Sequence, residues 1–341
     1  MTVVARRPAY AALVLITACA PADDMPARDT SAGGATSAAA PDQRDSALDP
    51  SAATGLLPGG VFRGVSARDS QLIAVGRDSA GRGVVFLSND GTQWTQVAPQ
   101  AAALPSLGAV AAWRGGFVAF ADSGSRIVWT SSDGRAWTPV RPAPRAFTDA
   151  VVTDVVAASP GLVAVGARLD PGETDEPVGG LVWTSRDGAT WTRVGGERTF
   201  DLNEGNINSV ALGGPGLVAA GADIDGTVVW TSRDGASWER LPRDRAVFAG
   251  ASISAITAWR DGLVALGARI PDAVDLQWAS RDGRTWVQEP TEGFFGVRDG
   301  VADLSQVAGR MVAVGSDAAG GAIWVSDDGR SWTRVTESRP R

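Results

Sequence analysis

Val182-Trp183-Thr184-Ser185 alternates apolar and polar positions, breaks at Arg186-Asp187-Gly188, and resumes through Trp191-Thr192-Arg193-Val194. The alternation predicts two half-buried strands, and Asp-Gly between them predicts a hairpin turn. Gly accepts positive φ without steric cost, while Asp and Ser accept hydrogen bonds from nearby N–H groups. The pattern recurs at Ser88-Asn89-Asp90-Gly91, Ser131-Ser132-Asp133-Gly134, Ser232-Arg233-Asp234-Gly235, Ser280-Arg281-Asp282-Gly283 and Ser326-Asp327-Asp328-Gly329. A Trp follows three residues after each Gly: Trp94, Trp137, Trp191, Trp238, Trp286 and Trp332. The six copies are spaced 43 to 54 residues apart, a period typical of repeat architectures.

Two more apolar runs precede each copy. One is clearest as Gly161-Leu162-Val163-Ala164-Val165-Gly166; the other is shorter, as in Val155-Val156-Ala157 or Val65-Ser66-Ala67. Four short strands in about 46 residues predict one blade of a propeller. The expected fold is therefore all-β: a six-bladed β-propeller of four-stranded antiparallel blades over 61–337. Closure is expected by the sixth blade packing on the first, with a possible closing strand between Leu56 and Val61.

The Ser-x-Asp-Gly-x-x-Trp turn resembles the Asp-box of the sialidase-type β-propellers, also called bacterial neuraminidase repeats. Here Asp and Gly are adjacent, a shortened version of the same turn. The resemblance implies a turn joining the third and fourth strands, on the face away from an active site. It implies that Asp90, Asp133, Asp187, Asp234, Asp282 and Asp328 are structural. Fold alone does not fix function.

The N-terminus differs in kind. Arg6 and Arg7 precede an apolar run from Ala9 to Ala18, too short to span a bilayer. Residues 1–18 are expected to be a lipoprotein signal peptide. Ile16-Thr17-Ala18-Cys19 resembles the bacterial lipoprotein box, and Cys19 is the only cysteine, so lipidation there is expected. Residues 19–60 are rich in Ala, Ser, Pro, Asp and Gly and lack aromatics. That composition predicts a disordered tether with a reach of roughly 35 Å. The expected location is the cell envelope, at the outer membrane or cell surface.

Composition narrows the chemistry. The chain has no His and no Lys, and its single Tyr, Tyr10, lies in the segment expected to be removed. Ser-His-Asp and Cys-His machinery, Schiff-base chemistry and His- or Cys-based zinc sites are excluded. A sialidase in the strict sense, whose nucleophile is a Tyr, is excluded with them. Arg269-Ile270-Pro271 spells a tripeptide of that family, but in the fifth blade. The charge of −7 opposes nucleic-acid binding. No cofactor and no metal are expected, and a monomer is expected.

Carboxylates and arginines remain. Aligned on their apolar residue, the first strands place Gly64, Ala109, Asp154, Ser209, Ala255 and Asp303 at one position. Asp154 and Asp303 fall in opposite blades and face one another if that position lines the axis. They are the candidate catalytic pair. Inter-blade segments carry Arg145 with Phe147, Arg198 with Phe200, and Arg245 with Phe248, a candidate ligand-binding set on the loop face. The acidic stretch from Asp170 to Glu176 has no recognisable calcium spacing. The preferred expectation is a noncatalytic binding or scaffold propeller engaging a glycan or an envelope protein. The alternative is a sialidase-superfamily-like carbohydrate-active hydrolase using two carboxylates. A third reading, an assembly factor, has no specific residue behind it.

Overall fold

A computed structural model describes residues 55–98, 104–122, 127–141, 145–159, 161–170, 176–195, 199–202, 204–269, 274–290 and 300–336. Six antiparallel blades follow one another along the chain, each with its strands in sequence order. Blade 3 is representative: Ala150–Ala158, Gly161–Leu169, Pro177–Ser185 and the short Thr192–Arg193. The first strands run seven to nine residues, longer than their apolar triplets suggest. Each seam between blades has its own apolar cluster, including the closing seam where Phe62, Val65 and Leu72 meet Val312, Val314 and Ile323. The second strands are covered on both faces, so they read as continuous apolar runs.

Closure also uses Leu57–Pro58. This two-residue strand pairs Leu57 with Gly321 and Pro58 with Gly320 on the third strand of blade 6, Gly320–Ser326. The fourth strand of that blade, Thr333–Arg334, occupies the other half of the same edge. Chain from before the expected start of the ring thus completes its last blade.

The repeated turn works as its chemistry predicts. In all six copies the Ser Oγ accepts the Gly N–H at 2.9 Å. The Asp Oδ1 accepts two N–H groups, as Asp187 does from Ala189 at 2.9 Å and Thr190 at 2.6 Å. These N–H groups, Thr190 first, hold the Asp187 carboxyl down to about 2. Trp94, Trp137, Trp191 and Trp238 donate Nε1–H to the carbonyl of their own turn glycine. Blade 6 differs: Trp332 donates to Gln277 Oε1 at 3.3 Å, and Gln277 Nε2 donates to Gly329 O at 2.6 Å. Gln277 stands where the other third strands carry Val or Ile.

The turn glycine meets two demands at once. Its φ is +68 to +79° in all copies, and it presses on the preceding blade. A Cβ on Gly235 would lie 2.6 Å from Val163 Cγ2, and one on Gly188 would lie 3.0 Å from Trp113 Cζ3. Gly235→Ala should therefore cost roughly 3 kcal/mol or more, from backbone strain plus overpacking. Gly81→Ala has a similar φ of +76° but open space around it, so it should cost about 1 kcal/mol. Urea denaturation of both variants checks this; equal costs would remove the seam contact from the explanation.

Candidate functional site

The six first strands converge around the axis, and every one of them carries a β-bulge. The register slips between Phe62 and Gly64, Leu107 and Ala109, Val152 and Asp154, Ile207 and Ser209, Ile253 and Ala255, and Val301 and Asp303. The six residues aligned from sequence are thus those directly after the bulge. A bulge disrupts the ladder and re-aims neighbouring groups. In five of the six strands the N–H one residue further on finds a side-chain acceptor instead of a strand. Ile256 donates to Ser209 Oγ of blade 4 at 3.0 Å.

Asp154 and Asp303 each serve two such donors. Asp154 Oδ1 accepts Val155 N–H at 2.6 Å, and Oδ2 accepts Val210 N–H and Ser209 Oγ–H, both at 2.8 Å. Asp303 Oδ1 accepts Leu304 N–H at 2.7 Å, and Oδ2 accepts Val65 N–H at 2.8 Å. The pattern follows from the neighbours. Ala109 and Ala255, in the preceding blades, offer no acceptor to Val155 or Leu304, so each aspartate caps its own successor. Their second oxygens cross to the next blade. The candidate acid–base pair therefore staples the seams between blades 3 and 4 and between blades 6 and 1.

Both carboxyls are buried. Burial pushes Asp154 up to about 6, against the opposing pull of its N–H partners. Burial and then the charge of Asp154 raise Asp303 well above the usual range. The two residues stand in blades 3 and 6, three apart in the ring order, and Asp303 feels the charge of Asp154.

The three candidate phenylalanines are interior. Phe147 is 4% exposed, Phe200 4% and Phe248 6%. They pack on the third-strand indoles of Trp183, Trp230 and Trp278, with centroids 5.3, 6.2 and 5.6 Å apart. The indole N–H of each Trp reaches the residue just before the Phe: Ala146 O at 2.6 Å, Thr199 O at 2.8 Å and Val247 O at 3.2 Å. The recurring Phe is thus a seam wedge and offers no ring face to a ligand. Arg145 and Arg245 are exposed on the same segments. Arg198, Ile270, Pro271, residues 171–175 and Cys19 lie outside the described residues; so do the signal peptide and nearly all of the tether.

Glu239 follows the turn Trp of blade 4 and Arg284 is a variable residue of the blade 5 turn; they meet across the seam between blades 4 and 5 on the Asp–Gly turn face. One signal was available. The residue after the turn Trp is Thr95, Thr138, Thr192, Val287 or Thr333 elsewhere, and an acid only at Glu239.

No protein-family model and no curated protein matches the sequence. Solved structures do match. SapL1 lectin in complex with alpha methyl fucoside aligns at 14% identity and TM-score 0.54, over 84% of this chain and 98% of that one. The fucose-specific lectin from Aleuria aurantia aligns at 15% and 0.53, over 84% and 99%. YjhT aligns at 12% and 0.53, over 82% and 97%. Similarity at this level shows a shared propeller fold.

The buried carboxyl gives a pH test. Asp154 binds its proton more tightly folded than unfolded. Its contribution is full below the ordinary carboxylate value of 3.8 and is lost as pH rises through about 6. The loss is about 3 kcal/mol at most. Asp154→Asn should flatten the fall in urea stability between these values; parallel wild-type and variant slopes would contradict the assignment.

Proposed function

We propose that the chain is a noncatalytic, glycan-binding propeller of the bacterial cell envelope, tethered through lipid on Cys19. The observation that carries this reading is the occupation of Asp154 and Asp303. One oxygen of each carboxyl accepts the N–H of its own successor and the other accepts an N–H across a seam, which leaves all four oxygens committed to the scaffold. The mature chain has no His, Lys or Tyr to replace it. The fucose lectins among the similar structures support a glycan as the ligand class. The exposed Arg145 and Arg245 on the loop face supply charge-assisted donors for hydroxyl or carboxylate groups. The Ser-x-Asp-Gly-x-x-Trp turns support kinship with the Asp-box propellers at the level of the scaffold.

One observation favours a second reading. Two buried carboxyls with raised proton affinity, in opposite blades and one of them feeling the charge of the other, resemble the acid half of a glycosidase pair. A hydrolase built on them would need their oxygens released from the seams.

A glycan array probed with the full chain separates the readings, with retained protein and released sugar read on the same spots. Retention without release is the expected outcome. Release that Asp154→Asn or Asp303→Asn abolishes, with folding intact, would establish the hydrolase instead. Neither retention nor release would exclude glycans and leave an envelope protein as the partner, to be sought by crosslinking.

A further inference from the structure

On the Asp–Gly turn face, the seam between blades 4 and 5 opens into a groove of about 410 Å³ lined by Pro215, Arg233, Ser237, Trp238, Glu239 and Arg284, among others. That volume falls within the range of small-molecule sites, roughly 300–1,000 Å³. Arg284 and Glu239 form a bidentate pair, Nη1 to Oε2 at 2.9 Å and Nη2 to Oε1 at 2.6 Å. Arg284 Nη1 also donates to Thr231 Oγ1 at 3.2 Å. The side chains remain 44% and 59% exposed, so the pair has an open side. Trp238 is half-buried. Its Nε1–H is fixed to Gly235 O at 2.9 Å, and Phe200 meets it edge-on from within.

As a set, the residues that line the groove differ from their equivalents at the other seams. Pro215 sits at its edge in a Gly213-Gly214-Pro215 turn that is left-handed at Gly214 and presses against the Asp282 backbone. The next seam also has an Arg–Glu pair, Arg330 with Glu289 at 2.5 Å. There the acid comes three residues after the turn Trp, and Val287 takes the place of Glu239.

We propose that this groove is a saccharide subsite. Two arginines, Arg233 and Arg284, face two acids, Asp234 and Glu239, so the lining charges balance and favour a neutral polar ligand over an ion. The guanidinium–carboxylate plane presents donors beside acceptors in fixed register, which matches vicinal hydroxyl groups. The indole offers a flat apolar surface for the C–H face of a pyranose ring. Because the ion pair and the anchored indole are already ordered, little side-chain freedom is lost on binding. The inference shares its ligand class with the proposed function but places the sugar on the opposite face from the loops.

The full chain is titrated with methyl glycosides of gluco, galacto, manno and fuco configuration, followed by saturation-transfer NMR. Glu239→Thr and Arg284→Ala are run alongside. Both install residues the chain already uses at the same turn position, Thr in blades 1, 2, 3 and 6 and Ala in blades 3 and 4, so Tm should stay near wild type. At least one glycoside is expected to bind, and each variant should weaken it about tenfold or more. No binding by the wild type, or unchanged binding by both variants, overturns the groove. A third protein, Arg145→Ala with Arg245→Ala, separates the two faces. Loss in that protein with full binding by Glu239→Thr overturns the groove and keeps the loop-face reading. The reverse pattern keeps the groove and removes the loop-face reading.

Discussion

A backbone N–H that has left its ladder must find another acceptor, and six bulged strands around one axis create that demand six times. The ring answers it locally with a side chain in five of the six blades. Where a blade has Ser209, the hydroxyl accepts the next blade's Ile256 N–H. Where the preceding blade has only Ala109 or Ala255, an aspartate stands in the following one and accepts twice. The buried acids thus supply the acceptors that Ala109 and Ala255 lack. The same crowding explains the glycine that five of the six second strands carry opposite the residue before the bulge. A Cβ on Gly166 would be driven into the carbonyl oxygen of Val151, just ahead of the bulge.

At the outer end of each seam the Asp–Gly turn does the complementary work. Its glycine lets one blade press on the previous one, and the Trp that follows anchors the short fourth strand. The blades are held by repeated local contacts, with one cluster per seam and no common central core. Such a scaffold tolerates variation on its surface, which is where departures from the repeat, such as Glu239, acquire meaning.

The fold was legible because its signals are local. Ser-x-Asp-Gly-x-x-Trp specifies a turn through hydrogen bonds within a few residues, and it recurs six times. That Asp154 and Asp303 fall in opposite blades was also legible, because aligning repeats fixes angular position around a ring. Their role was not, since the bulge that creates it leaves no residue signature: the extra residues are Arg63, Gly108, Thr153, Asn208, Ser254 and Ala302. Phe147, Phe200 and Phe248 misled for a related reason. Arg145 and Arg245 are exposed while the rings point inward, and a one-dimensional pattern does not separate these directions. The closing strand expected between Leu56 and Val61 is present as Leu57–Pro58, paired with blade 6 at the end of a stretch whose composition otherwise reads as tether.

The post-bulge residues read Gly64, Ala109, Asp154 and then Ser209, Ala255, Asp303: small, Ala, Asp, twice over. Trp113-Arg114 and Trp259-Arg260 repeat with the same three-blade offset, and both arginines have positive φ and stack on their tryptophans. The ring therefore has an approximate dyad along its channel. With both carboxyls ionised, their transverse fields cancel at the midpoint while their potentials add. Removing one charge ends that balance, so a single proton converts a symmetric axial environment into a polarised one.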